Sequence, residues 1–143
     1  ASPKYLARHG EPRLPEDLAK HNCINLVAGS PSYARWSFDT PAGRQVVQVA
    51  GGISANNAEC VLTFGVLGLG IVRLNEFIVS DDIRRGNLVP VLPDFHCAEP
   101  VAMLALYPHM HHRLPRVAAM LDFLVESFAH APWRTAHPKW KHR

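Results

Sequence analysis

The sequence predicts an α/β fold, in which short strands alternate with helices that pack against a mainly parallel sheet. Between residues 53 and 92, apolar runs typical of buried strands alternate with stretches that carry helix-capping and helix-ending residues. A chain of 143 residues is long enough for one ordinary globular core. Its composition, with 48% hydrophobic and 19% charged residues, is that of a folded chain rather than a disordered one.

The apolar runs and the charge exclude two classes of partner. No run reaches the roughly 18 apolar residues that a membrane helix needs, so we expect no membrane association. The formal net charge is +3, and a basic tail at residues 131–143 follows the last apolar helix. Basic tails in that position are more often solvated than bound to nucleic acid, so we expect no DNA contact from this tail.

The three cysteines, Cys23, Cys60 and Cys97, are far apart and form no Cys-x-x-Cys pair. This spacing supports neither a zinc site nor a thioredoxin-like motif. Each lies in an apolar segment, where a free cysteine behaves as a small buried hydrophobe. Free thiols favour a reducing compartment.

The first half of the chain predicts two short helices and three strands. Ser2 is the expected N-cap of the first helix and Gly10 its end, and a second helix follows at residues 15–22. Strand-like runs occupy residues 23–27, 35–39 and 44–49. The Thr-Pro-Ala-Gly segment between the last two predicts a hairpin turn.

The middle of the chain predicts a helix from Ser54 or Asn56 to about Leu67, followed by a parallel strand at residues 70–74. A further short helix would begin at Ser80 and end at Gly86, and a strand near the edge of the sheet would cover residues 87–92.

The last part of the chain predicts a central strand at residues 101–107, a loop at 108–115 and an amphipathic helix at 116–128. The apolar stripe of this helix consists of Val117, Met120, Leu121, Leu124 and Phe128.

Four segments, in this order, resemble the C-terminal effector-binding domain of LysR-type transcription regulators. They read ASPKYLARHGEPRLPEDLAKHNCI, SANNAECVLTFGVLGLGIVRL, DDIRRGNLVPVLPDF and VAMLALYPHMHHRLPRVAAMLDFLVESF. Any one of these phrases is weakly specific, whereas the four together cover nearly all of residues 1–128.

The resemblance implies a periplasmic-binding-protein-like (type II) two-lobed α/β domain, here truncated. Residues 1–100 would form the second lobe, with the first crossover at its start. Residues 101–130 would be the returning strand and C-terminal helix of the first lobe, and 131–143 a basic tail. The DNA-binding domain and the first part of lobe one would be absent.

The resemblance also implies a function that depends on ligand binding and not on catalysis. A small molecule, often an organic anion, would bind between the lobes and alter DNA binding by a cytoplasmic homo-oligomer. DNA would be contacted only through the absent N-terminal domain, and no cofactor is expected. The alternatives are a periplasmic solute-binding protein of the same fold, and an oligomerisation module whose cleft is filled by its own side chains.

Five residues are candidate effector contacts: Ser2, Ser54, Asn56, Asn57 and Arg73. The helix that begins near Ser54–Asn57 would offer free N–H groups to a carboxylate, although ordinary helix capping explains the same residues equally well. The resemblance places Ser2 at the first crossover, facing the cleft, in competition with its capping role. Arg73 would lie near the cleft edge, where a guanidinium pairs well with a carboxylate, although a solvent-facing arginine is the commoner case.

Neither a metal site nor a catalytic site is predicted. His109, His111 and His112 lie on one loop with no distant carboxylate or cysteine ligand, which makes a poor closed metal site. The nucleophile-elbow, zinc-protease and phosphate-loop motifs are all missing from the sequence. Asp81 and Asp82 are adjacent on a helix, where their side chains point in different directions, so they do not form a catalytic pair.

Overall fold

The computed structural model describes residues 1–27, 34–97, 104–107 and 114–129. In chain order the elements are helix α1 (Pro3–His9), a 3-10 helix (Pro15–Lys20), strands β1 (Cys23–Leu26), β2 (Arg35–Thr40), β3 (Gly43–Gln48) and β4 (Ser54–Ala55), helix α2 (Ala58–Val66), strand β5 (Ile71–Val72), helix α3 (Glu76–Arg84), a second 3-10 helix (Pro93–Phe95) and helix α4 (Pro115–Ala129). The predicted α/β fold is confirmed.

Three short parallel strands form the central sheet, in the order β4-β1-β5. Asn25 pairs with Ser54 on one side of β1, and Cys23 pairs with Ile71 on the other. Helix α2 connects β4 to β5, which lie on opposite sides of β1, because strands that run in the same direction need a crossover connection. The carboxyl ends of β1, β4 and β5 therefore meet at one edge of the sheet.

Strands β2 and β3 form the predicted hairpin. They pair antiparallel from Arg35 opposite Gln48 to Thr40 opposite Gly43. The Thr40 hydroxyl donates a hydrogen bond to the Gly43 carbonyl (2.8 Å), and Gly43 has a positive φ of 115°, which a residue with a Cβ rarely adopts. Trp36 of β2 is buried, so the hairpin contributes to the core.

The core lies where the first helices, β1 and β5 meet. Its most fully buried side chains are Leu18, Ile24, Ile71, Val61, Pro15 and Cys23. A Cβ on Gly70 would lie 2.3 Å from the Asn22 carbonyl oxygen, so only glycine permits this approach of the two strands. Burial raises the pKa of the Cys23 thiol to about 11, which keeps it protonated and unreactive.

Both middle helices begin at positions other than those predicted. Helix α2 begins at Ala58 with Asn57 as its N-cap, because Ser54 pairs with β1 and belongs to a strand. Helix α3 begins at Glu76 after Asn75, so Ser80 lies inside the helix, where it is buried. Ile78 and Val79, which are at least partly buried, precede Ser80, and their packing outweighed the capping preference.

The predicted strand at residues 87–92 is wrong. Val89 exchanges two backbone hydrogen bonds with Ala1 (2.7 and 3.1 Å), and regular pairing goes no further. Pro90 has no N–H to donate, and Leu92 adopts the left-handed conformation at φ 55°. The segment therefore runs as irregular backbone beside the sheet.

Helix α4 confirms the predicted C-terminal helix, and Leu114, Val117, Leu121 and Leu124 are half-buried along one side. Met120 and Phe128 of the predicted stripe are instead exposed. Residues 104–107 form no strand, and the rest of the predicted 101–107 strand lies outside the described residues. Cys60 also departs from prediction, because it lies on the exposed side of α2.

Candidate functional site

A crevice of about 550 Å³ opens at the carboxyl ends of β1 and β5. Ligands of open α/β sheets bind at this edge, because the loops and helix starts that follow the strands converge there. The described residues that line the crevice are Ile24, Leu26, Arg35, Trp36, Ser37, Val46, Ala58, Arg73, Leu74, Asn75 and Ile78.

The crevice is electropositive. Arg35 at the start of β2 and Arg73 directly after β5 both line it and are both exposed to solvent. The described lining residues include no carboxylate. Guanidinium groups pair with carboxylate in bidentate geometry, so both arginines suit a negatively charged occupant.

The starts of two helices add to this potential. Ala58, the first residue of α2, and Asn75, the N-cap of α3, both line the crevice. The positive ends of both helix dipoles are therefore close to it. In α2 the Asn57 side chain accepts a hydrogen bond from the Glu59 N–H (2.7 Å), whereas Asn75 makes no side-chain cap.

An apolar pocket of about 190 Å³ adjoins the crevice. The two cavities share Trp36, Ser37, Arg73 and Leu74. The pocket is otherwise lined by one side of α3, by the irregular segment at 88–93, and by Ala1, Leu18, Phe38, Ile71, Val72, His96 and Cys97. The site therefore combines a charged entrance with an apolar interior.

The structure brings four of the five predicted contact residues to the carboxyl edge of the sheet. Arg73 lines both cavities, and Asn57 precedes the lining residue Ala58. Ser54 and Asn56 are exposed at β4, on the far side of β1 from Arg73. Neighbouring strands are about 4.8 Å apart, so these two residues lie roughly 10 Å from β5.

Ser2 is not among the residues that line the crevice. It is 2% exposed, and its hydroxyl accepts a hydrogen bond from the Tyr5 N–H (3.2 Å). It lies beside Gly68, which precedes β5 and so belongs to the amino edge of the sheet. The structure thus shows the capping role of Ser2, and its effector role stays a prediction.

Sequence reasoning missed Arg35, Trp36 and Asn75. Asn75 could have been found by the rule that selected Asn57, since both are asparagines between a strand and a helix. No local signal separates Arg35 from other exposed arginines, because its place in the crevice depends on how the hairpin docks against the sheet.

No metal site or membrane span is found within the described part of the chain. It contains no cluster of three or more histidine, cysteine, aspartate or glutamate side chains that could hold a metal ion. His109, His111 and His112 lie outside the described residues. None of the described helices is both long and apolar enough to cross a bilayer.

The fold is an α/β fold of the periplasmic-binding-protein-like type, as in LysR regulatory domains. The family model of the LysR substrate binding domain matches residues 1–129, and the chain belongs to this family. The expected resemblance is therefore confirmed.

Two regulators illustrate the similarity in sequence. The chain is 32% identical to the HTH-type transcriptional regulator CrgA of Neisseria meningitidis over 126 residues, which cover 88% of this chain and 42% of CrgA. It is also 32% identical to the uncharacterized HTH-type transcriptional regulator YhjC of Escherichia coli over 127 residues, with 87% and 42% covered. The chain thus spans about two fifths of the length of these relatives.

Solved structures agree with the sequence comparison. The regulatory domain of CrgA, a LysR-type transcriptional regulator, superposes with a TM-score of 0.80 at 32% identity over 89% of this chain and 61% of that one. Full-length AphB, a virulence activator of Vibrio cholerae, gives 0.67 at 25% identity over 89% and 43%. The similarity to regulators supports a regulator over the transporter alternative.

Proposed function

We propose that this chain is the effector-sensing part of a DNA-binding transcription regulator and that a small organic anion binds in the crevice. The observation that carries this proposal is the pair of arginines, Arg35 and Arg73, in a crevice that two helix starts also line. A carboxylate would gain charge-assisted hydrogen bonds there, and the helix dipoles would add to its binding.

The proposed mechanism is a population shift. Residues 1–100 would act as one lobe and residues 101–130 as part of the other, with the tail at 131–143 outside both. A ligand held between lobes favours the interlobe angle at which it makes most contacts. In a homo-oligomer that change would alter the spacing of the DNA-binding heads on a symmetric site.

Effector contacts on this lobe would come from Arg73, with Arg35 and Asn75 added by the structure. Asn57, Ser54 and Asn56 would serve ligands that reach the far side of β1. The proposal includes no catalytic step, cofactor or membrane contact, and it places the protein in the cytoplasm. The oligomerisation-module alternative required a cleft filled by side chains, whereas the described residues leave an open crevice.

The proposal is tested on the full-length protein by gel shift against the DNA upstream of its own gene. We expect a sequence-specific, salt-sensitive shift whose affinity or mobility changes when small carboxylates are added. Arg73→Gln should reduce the response to carboxylate about tenfold or more, because charged hydrogen bonds contribute about 1.5–3 kcal/mol. Arg13→Gln, which removes an exposed charge remote from the crevice, is the matched control.

Two outcomes would contradict the proposal. Absence of a shift over competitor DNA would exclude the regulator, and a carboxylate response that survives Arg73→Gln as fully as Arg13→Gln would exclude this crevice as the sensing site.

A further inference from the structure

The amino edge of the sheet, opposite the crevice, carries a hydrogen-bonded pair of side chains that the proposed function leaves unused. Tyr5 of α1 is 2% exposed, and its hydroxyl lies 3.2 Å from Nδ1 of His21. The Asn22 N–H donates a hydrogen bond to the same hydroxyl oxygen (2.9 Å). These contacts attach α1 to the segment that leads into β1.

Asn22 connects this contact to the rest of the amino edge. Its side chain accepts a hydrogen bond from the Gly52 N–H before β4 (2.8 Å) and donates one to the Leu69 carbonyl before β5 (2.6 Å). Its backbone carbonyl accepts a hydrogen bond from the Ile71 N–H (2.9 Å). The Tyr5 hydroxyl therefore meets the sheet at the residue that links the starts of all three parallel strands.

The hydrogen bond between Tyr5 and His21 depends on the protonation state of the imidazole. Burial raises the pKa of Tyr5, so its hydroxyl keeps its proton, and burial likewise keeps the nearby Cys23 thiol neutral. Because the Asn22 N–H donates to the phenolic oxygen, the hydroxyl proton is available for Nδ1 of a neutral imidazole that carries its own hydrogen on Nε2. A protonated imidazole has a hydrogen on Nδ1, so two donors would face one oxygen and the hydroxyl proton would lose its acceptor. A buried donor without a partner is unfavourable, so protonation of His21 works against the contact.

Most of the surroundings of His21 also disfavour its charged form. Burial is the largest cause that lowers the pKa of His21, and the charges of His9 from α1 and Lys20 from the 3-10 helix lower it further. The Asp17 carboxylate raises it, but that carboxylate also accepts hydrogen bonds from the Lys20 ammonium (3.2 Å) and from two backbone N–H groups. The His9 ring stacks on the Tyr5 ring with 4.5 Å between centroids, so a histidine lies on each side of the tyrosine contact.

We propose that Tyr5 and His21 form a pH-sensitive latch, in which neutral His21 holds α1 on the amino edge of the sheet and protonated His21 releases it. A released imidazole has an ordinary pKa of about 6.5, so the latch opens as the pH falls below that value. Since α1 would belong to the first crossover between the lobes, its release would alter the interlobe angle and, with it, DNA affinity. This last step rests on the proposed function, whereas the latch itself does not.

Amide hydrogen exchange of the full-length protein, followed by mass spectrometry between about pH 5 and pH 7.5, tests the latch. Each rate is divided by the intrinsic rate at the same pH, so that the protection of residues 3–9 can be compared across the series. We expect this protection to fall about fivefold or more toward the acid end, because the buried hydroxyl proton loses its acceptor. Helix α3, which contains no histidine, is the internal reference and should keep its protection.

Two substitutions should remove the pH dependence in opposite ways. His21→Asn places an amide oxygen where Nδ1 lies and does not titrate, so α1 should keep its neutral-pH protection throughout the series. Tyr5→Phe keeps the ring and its stacking on His9 but removes the hydroxyl, so α1 should be weakly protected throughout. His9→Gln removes a neighbouring charge and neither member of the latch, so it is the control and should keep the transition, moved to higher pH. His21→Asn decides the matter alone if Tyr5→Phe fails to fold.

The outcomes separate the latch from the proposed function. The latch is overturned if the protection of α1 in the parent is independent of pH, if His21→Asn loses protection as the parent does, or if His9→Gln abolishes the transition. Gel shifts over the same pH range test the further step, and the parent should change its DNA affinity more than His21→Asn does. Equal changes in both would overturn the coupling to DNA. If the protein binds no DNA at any pH, the proposed function fails, and hydrogen exchange still decides the latch.

Discussion

Asn57 has two roles that one set of substitutions can separate. Its side-chain oxygen accepts the Glu59 N–H at 2.7 Å and so caps α2. The following residue, Ala58, lines the crevice. Asn57→Ala should destabilise the fold by about 1 kcal/mol, the usual cost of losing an N-cap. Asn57→Asp should leave stability within about 0.5 kcal/mol, because aspartate caps as well as asparagine does and suits the helix dipole.

The effect on ligand binding should follow a different order. Aspartate adds a negative charge beside an electropositive crevice, roughly 10 Å from Arg73 across two strand spacings. At that separation, and with an effective dielectric constant between those of a protein and of water, the repulsion between the aspartate and a bound carboxylate is about 0.5–1.5 kcal/mol. Asn57→Asp should therefore weaken the binding of a small carboxylate such as acetate about 2- to 12-fold, and Asn57→Ser, which keeps a neutral cap, should leave it nearly unchanged.

Urea unfolding followed by circular dichroism at fixed protein concentration measures the first effect, and calorimetric titration measures the second. The reasoning is refuted if Asn57→Ala unfolds at the same urea concentration as the parent. It is also refuted if Asn57→Asp binds the carboxylate as tightly as Asn57→Ser does.

Three further predictions follow from other parts of the fold. Gly51→Ala should destabilise the protein by about 2–4 kcal/mol in urea unfolding, because its Cβ would lie 2.2 Å from the Cys23 carbonyl oxygen and would force the backbone apart. Gly52→Ala, which meets nothing within 4 Å, should stay within about 1 kcal/mol of the parent, and equal losses in both would contradict the packing. In native buffer an aromatic disulfide reagent should modify exposed Cys60 at least about tenfold faster than buried Cys23, whose high pKa also suppresses the thiolate, and equal rates would exclude this burial. Burial lowers the pKa of His21, and the charge of the nearby His9 lowers it further. Unfolding therefore takes up protons, and the free energy of unfolding should fall as the pH drops through about 6.5. His21→Gln should flatten that part of the stability profile, and an unchanged profile would contradict the assignment.

Local signals in the sequence were enough for most of the fold. Ser2 followed by proline and ended by Gly10 predicted α1, and the structure shows each of those roles. Alternating apolar residues around Trp36 and Val47 predicted the hairpin, whose pairing places these two residues opposite each other. Such features succeed because the preference is satisfied within a few residues of the chain.

The errors lie where a distant contact outweighs a local preference. Ser54 and Ser80 are good N-caps by residue type, but one pairs with β1 and the other is buried within α3. The run at residues 87–92 is apolar enough for a strand, yet Val89 finds only Ala1 as a partner. The partners of Ser54 and Val89 are not visible in a local window of sequence, because both lie far away along the chain.

The candidate site shows the same division. Arg73 was predicted because the family resemblance places it near the cleft edge, where a guanidinium pairs well with a carboxylate. Arg35 begins a hairpin strand and carries no such signal, yet the hairpin brings it to the same crevice. The positive potential of the site therefore has two structural origins. The parallel sheet places Arg73, and the packing of the hairpin places Arg35. A single Arg73→Gln substitution should weaken anion binding. Adding Arg35→Gln should weaken it further only if the hairpin holds this docked position in solution. A double-mutant cycle followed by calorimetric titration would measure the contribution of each arginine.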